Sequence, residues 1–403
     1  MKKVWSLLLM MVLTAGMLFG CSGGEKSNSD GGSNSSSSGG GEKGTIKIGG
    51  LFDITGATGD VGAPYAEGEK AYFEYISSKG GVNGYKLELV GQDYAYKIPE
   101  AQKLYQKFKS KDKVAAILGW GTGDTEALRQ QVAADKLPFF SASYSENLKN
   151  LKESPYNFLT AASYSDQARA VLRWIKDNHK DGTPKVALIY NDTAYGKSPI
   201  QDAKDFAKEI GVEIVDEQIV DLKALDATSQ LLNMQKKDPD YAIIQETWGA
   251  TATILKDAKK LGIKTQFIGL NWSTGEGLLP IAGDAAEGFI SVVTHAFPYE
   301  DLPGMAEIKE YLESKGEKLE DKNQKFIQGW VTAKILVEGI KLADDPTTGE
   351  GIRQGLEKIN HLDLGGLAAP VTFTPDNHAG TTQIRLAKVQ NGKFEVFTDY
   401  FGY

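Results

Sequence analysis

The chain has 403 residues, 41% of them hydrophobic and 24% charged, with 13 prolines, a composition that excludes collagen, coiled coil and wholesale disorder. At about 100 to 200 residues per domain, this length predicts two domains, each able to bury its own core. The 45 Lys and Arg stand against 53 Asp and Glu, a formal charge of −8 that opposes binding to nucleic acid, and a single cysteine rules out an internal disulfide or a cysteine-based zinc site.

In chain order, Lys2 and Lys3 precede an apolar run from Val4 to Phe19 that is too short to span a bilayer, so residues 1–20 read as a signal peptide. Leu18-Phe19-Gly20-Cys21 resembles the lipobox of bacterial lipoproteins, which implies that Cys21 carries a lipid and becomes the mature N-terminus. Residues 21–44 then form a Ser/Gly-rich tether with too few apolar groups to order it, reaching roughly 25 Å. From Thr45 onward, short β-branched runs alternate with segments of helical period, the pattern of an α/β protein with mainly parallel sheets. Strands are predicted at 46–52, 86–92, 114–118, 137–141, 185–190, 212–220, 241–245, 265–269 and 288–293. They make two similar rounds, 46–160 and 185–293. Ile327, Val331, Ile335 and Leu342 share one face of a long helix over 324–344. Strand signals at 371–374, 382–390 and 393–397 close the chain, with Asn391-Gly392 as a two-residue hairpin turn.

Catalytic patterns are missing. His179, His295, His361 and His378 are scattered, and no HExxH, GxSxG, Walker A or EF-hand pattern occurs, so no catalytic residue, metal or cofactor is expected. Asp53-Ile54-Thr55-Gly56 loosely resembles an aspartic protease loop, but no second copy supplies the partner carboxylate. His378 is expected in a turn with a structural role. The segment Gly119-Trp120-Gly121-Thr122-Gly123-Asp124 lies between a predicted strand and a helix but fails the dinucleotide spacing at Asp124. Its backbone amides can face a small anion at the helix N-terminus, Thr122 or Asp124 can cap the helix, and both roles can coexist.

Several motifs together carry a resemblance. Lys79-Gly80-Gly81-Val82-Asn83-Gly84, Ser165-Asp166-Gln167-Ala168, Tyr195-Gly196, Leu261-Gly262-Ile263-Lys264-Thr265-Gln266-Phe267-Ile268-Gly269 and Ala282-Gly283-Asp284-Ala285-Ala286-Glu287-Gly288 follow one another in the right order. By them, residues 46–400 resemble the Leu/Ile/Val-binding-protein-like solute receptors of ABC transporters, the type I periplasmic binding proteins. The resemblance implies two hinge-connected Rossmann-like domains with a ligand cleft between them. Their expected extents are 45–164 plus about 296–360, and 165–295 plus about 361–403. It implies a monomer that takes a small organic solute, held at the membrane only by its lipid, and hands that solute to ABC permease subunits. A ligand-sensing receptor of the same fold that reports to a signalling partner is the alternative.

Carried over by position, the family's carboxylate site falls on Thr122, Ser143 and Ser145, and Tyr195 matches a ligand-contacting tyrosine. Asn271 stands where amino-acid-binding members carry a glutamate for the ligand ammonium, and Thr247, beside Trp248, stands where they carry a tyrosine. Trp120, Tyr144, Tyr195, Trp248 and Trp272 all follow predicted strands, where they would line such a cleft. The expected solute is therefore amino-acid-like or an aromatic carboxylate or amide, its anionic end at Thr122, Ser143 and Ser145 and its flat body among Trp120, Tyr144 and Trp248. Asp124 and Glu246 are the two carboxylates that could restore a cation site.

Overall fold

The structure, a computed structural model, describes residues 43–403; the signal peptide, Cys21 and nearly all of the tether lie outside the described residues. Five strands, β1 (Gly44–Phe52), β2 (Tyr85–Asp93), β3 (Ala116–Gly119), β4 (Phe139–Ser141) and β5 (Asn157–Phe158), form one sheet in the order β2-β1-β3-β4-β5, every pair parallel. A second sheet holds β6 (Lys185–Tyr190), β7 (Glu213–Ile219), β8 (Tyr241–Gln245), β9 (Gln266–Gly269), β10 (Ile290–Val293), β11 (Arg385–Gln390) and β12 (Lys393–Val396). Its order is β12-β11-β10-β9-β8-β6-β7, parallel from β10 to β7 and antiparallel at the β11 and β12 edge. Helices fill the crossovers, as parallel neighbours require.

Where the sequence predicted one long helix, Gln324–Leu342 runs with Ile327, Val331 and Ile335 buried, and Leu342 exposed at its last position. It packs against the helix Gly59–Ser78 over the five-stranded sheet, in a core with Ile48, Leu118, Phe140 and Trp330. The final hairpin turns at Asn391 and Gly392, whose φ values of 53° and 71° are those a two-residue turn of this hand demands. Two details differ from expectation. Residues 371–374 pair one at a time, Val371 with Leu362 and Thr374 with Asn377, because the turn at 374–377 folds the chain back before a strand can extend. β5 is only two residues long and leaves no periodic signal. His378 is buried, its ring stacked 3.9 Å from that of Phe158 and its Nε2 3.0 Å from Glu357 Oε1.

The chain passes between the sheets three times: between β5 and β6, between β10 and the helix Met305–Ser314, and between the helix Gly349–Leu356 and β11. The two domains share one apolar cluster, with Leu51, Tyr65 and Trp120 from the five-stranded side and Tyr195, Phe267 and Trp272 from the seven-stranded side. No described helix is long and apolar enough to cross a membrane.

Candidate functional site

The C-terminal ends of strands from both sheets converge on a narrow cavity of about 20 Å³, walled closely by side chains from both. This is where open parallel sheets place ligands, because the strand ends and the loops that follow them leave a crevice. Tyr96, Trp120, Tyr164, Tyr195 and Trp272 contribute rings to its wall, and Thr58, Thr122 and Thr247 contribute hydroxyls. A larger groove of about 830 Å³ lies where β8, β9 and β10 begin, lined by Tyr241, Gln266, Ile290 and Lys388. The smaller cavity is the better candidate because buried, unpartnered polar atoms gather beside it.

On the five-stranded side, the loop after β1 is tied by its own carboxylate. Asp53 accepts from Gly56 N at 2.7 Å, Thr58 N at 2.9 Å and Thr58 Oγ1 at 2.7 Å, so it organises the loop. Thr58 Oγ1 accepts in turn from Trp120 Nε1 at 2.8 Å, fixing that ring in the cavity wall. Ser143 Oγ donates to Thr122 Oγ1 at 2.8 Å, and Ser143 N donates to Ser141 Oγ at 2.8 Å. At the start of the helix Thr122–Asp135, Tyr94 OH donates to Asp124 Oδ1 at 2.7 Å. That oxygen lies so near Gly121 that a Cβ there would fall 2.3 Å from it. Asp124 Oδ2 is buried without a partner, and burial raises the Asp124 carboxyl to about 7.

On the seven-stranded side, the polar groups are less complete. Tyr195 OH lines the cavity, buried and without a partner, and burial holds the phenol well above its ordinary pKa. Glu246 Oε2 accepts from Asn191 Nδ2 at 3.1 Å, while Oε1 has no partner; burial pushes this carboxyl well up. Asn271 is held by its backbone, N donating to Gln167 Oε1 at 3.1 Å and O accepting from Lys325 Nζ at 2.7 Å. Both of its side-chain amide atoms are buried and unpartnered. Trp272 crosses to the opposite wall: it stacks parallel to Tyr144 at 6.1 Å, meets Trp120 edge-on at 4.9 Å and donates from Nε1 to Tyr164 OH at 3.0 Å. Behind it, the fully buried Lys325 sits 4.9 Å from the Trp272 ring. Its ammonium donates to three neutral oxygens, of Asn271, Gln324 and Gln328, and burial lowers it to about 7. Gly249 N donates to Asp60 Oδ2 at 3.0 Å, a direct bond between the two sides.

Of the nine residues assigned to ligand in the sequence, Trp120, Thr122, Tyr195 and Thr247 line the cavity. Ser143, Tyr144 and Asn271 stand one layer back, each tied to neighbours of the lining: Ser143 to Thr122, Tyr144 to Trp272, and Asn271 next to Trp272 in sequence. Two are directed elsewhere. Ser145 Oγ donates to Glu126 Oε1 at 2.7 Å, outside the cavity wall. Trp248 donates to Thr274 O at 2.6 Å and lies on the following loop, so close that a Cβ on Gly277 would fall 2.1 Å from its ring. Tyr96 and Tyr164 were missed, although Tyr96 follows β2 as Trp120 follows β3 and the same rule finds it. Lys325 gave no signal, since a lysine in the first turn of a helix ordinarily reaches solvent.

Comparison with known proteins agrees with this architecture. A family described as periplasmic binding protein matches residues 45–393. A branched-chain amino acid ABC transporter structure from Thermus thermophilus, with bound valine, is 30% identical, with a TM-score of 0.83 over 90% of this chain and 97% of that one. An ABC transporter substrate-binding protein from Aeropyrum pernix is 29% identical, with a TM-score of 0.82 over 88% of this chain and 95% of that one. Among curated relatives, the Leu/Ile/Val-binding protein of Citrobacter freundii is 23% identical over 306 residues, 75% of this chain and 80% of its own length.

Proposed function

The chain belongs to the periplasmic binding protein family, and on that premise we propose that it is the solute-binding component of an ABC uptake system, holding a small organic solute in the cavity between its two sheets. The observation that carries this reading is the cavity itself: it lies at the strand C-terminal ends, is walled from both domains, and holds an unpartnered, buried Tyr195 hydroxyl. Binding and closure are the whole mechanism. A solute that touches Trp120 and Thr122 on one side and Tyr195 and Thr247 on the other favours the closed arrangement by its extra contacts there, and the membrane permease reads that shape. The bond from Gly249 to Asp60 is a direct protein contact across the cleft.

The sequence of the first residues supports an extracytoplasmic protein held at the membrane by a lipid on Cys21. Cys21→Ser should abolish incorporation of labelled fatty acid while leaving solute binding unchanged; equal labelling of the variant would contradict the anchor. A thermal-shift panel of amino acids, aromatic acids, amides and amines tests the receptor reading. A true solute at a hundred times its Kd adds about 2.7 kcal/mol of stability, and a panel in which no compound raises the melting temperature would count against the reading.

A further inference from the structure

Two carboxylates beside the cavity are incompletely paired. Asp124 and Glu246 are 2% and 0% exposed, and each keeps one oxygen without a hydrogen-bond partner. Asp124 abuts Gly121 of the lining and Glu246 immediately precedes Thr247. Neither carboxylate belongs to the lining itself, which is aromatic, with rings from Tyr96, Trp120, Tyr164, Tyr195 and Trp272. Aromatic faces carry negative charge density and attract cations, most strongly where water is excluded. Buried carboxylates in such a place are costly until a positive charge joins them.

The position expected for a ligand carboxylate is already taken. The start of the helix Thr122–Asp135 holds Asp124's own carboxylate beside Gly121, and the Thr122 and Ser143 hydroxyls are bonded to each other. A second anion there would meet like charge. Lys325 is the opposing cation, but it stands behind Trp272 with its donors spent on neutral oxygens.

Resting on the receptor reading above, we propose that the solute carries an ammonium head, alkylated or quaternary, without an α-carboxylate, and that the five rings take this head with Asp124 and Glu246 supplying the countercharge. This reverses the aromatic-acid expectation drawn from Asn271. The one alternative the geometry offers is that both acids stay protonated and donate to an anion, and solute charge separates the two.

The test is calorimetry on the full-length protein at pH 8 with choline, with 3,3-dimethylbutan-1-ol, which is choline with carbon in place of the ammonium nitrogen, and with benzoate and leucine. Choline should bind about thirtyfold more tightly than its neutral isostere. Asp124→Asn and Glu246→Gln should each collapse that ratio by about tenfold, which a merely structural defect would not do because it would weaken both compounds alike. Equal binding of choline and isostere, tighter binding of benzoate or leucine than of choline, or parallel losses in both variants would overturn the inference. Saturable binding confined to acids would remove only the ammonium head. Silence of every cationic, neutral and anionic compound would remove the receptor reading as well.

Discussion

On the five-stranded side of the cavity, Asp53, Thr58, Trp120, Thr122 and Ser143, some of them a layer behind the lining, bond to one another, whereas on the seven-stranded side Tyr195 and, behind it, Gln245, Glu246 and Asn271 keep polar atoms with no partner. A buried polar atom left unpaired costs about 1 to 3 kcal/mol, so the second wall carries a debt that the first does not. The first wall is thus a finished scaffold whose residues hold the fold. The second is finished by whatever enters. Asp124 is the exception on the scaffold side, with one oxygen bonded and one free. Stability and affinity should therefore separate by wall, and substitutions can break or sharpen that division.

The largest effect should come from Asp53→Ala, which strands the amides of Gly56 and Thr58 and the Thr58 hydroxyl that positions Trp120. Urea unfolding should show a loss of about 3 to 5 kcal/mol. A loss below about 1 kcal/mol would mean that the five-stranded wall is not the scaffold.

Next comes the pH dependence of the unliganded protein. Burial raises the Asp124 carboxyl from 3.8 to about 7, so between those values the folded state keeps a proton that the unfolded state releases. The contribution is therefore present below the unfolded value, is lost as pH rises toward 7, and is flat above; Glu246, also raised by burial, acts in the same direction. Tyr94 donates to Asp124, and the charge of Asp53 raises its pKa further. Unfolding free energy should fall by roughly 2 to 3 kcal/mol from pH 5 to pH 8, and Asp124→Asn should flatten the curve. A steeper or unchanged slope in that variant would place the titration elsewhere.

Tyr195→Phe removes a hydroxyl that has no protein partner. Stability should stay within about 0.5 kcal/mol, while solute affinity drops about five- to tenfold, chiefly through faster release. The smallest effect is expected from Asn271→Leu, where an unpartnered buried amide gives way to an apolar group of similar size. The melting curve should hold or gain about 1 kcal/mol, and a clear loss would show that the amide has a structural partner.

Much of this was legible in the sequence for physical reasons. Strand periodicity located the strands of both sheets apart from β5, and the Asn391-Gly392 turn fixed the last hairpin, because both signals are local. Strand C-terminal ends pointed to Trp120 and Tyr195 as cavity residues, since the topology of a parallel sheet brings those loops together. Side-chain direction within a loop was not legible. Trp248 follows β8 as Trp120 follows β3, yet it packs onto Gly275 and Gly277, which are far along the chain and carry no side chain to fill that space. The same blindness hid the bond from Ser145 to Glu126 and the burial of Lys325 against Trp272. Asn271 at its family position speaks against an amino-acid ammonium, and the sequence names Asp124 and Glu246 as carboxylates that could restore a cation site, but their unpaired oxygens show only in three dimensions.

The central claim is that a cation completes the unfinished polar chemistry between the two walls, and a crystal structure grown with saturating choline tests it most directly. The account predicts density for the trimethylammonium head inside the rings of Tyr96, Trp120, Tyr164, Tyr195 and Trp272, with Asp124 and Glu246 as the nearest charges. Choline in the groove where β8, β9 and β10 begin, or an empty cavity with the compound bound nowhere, would contradict it.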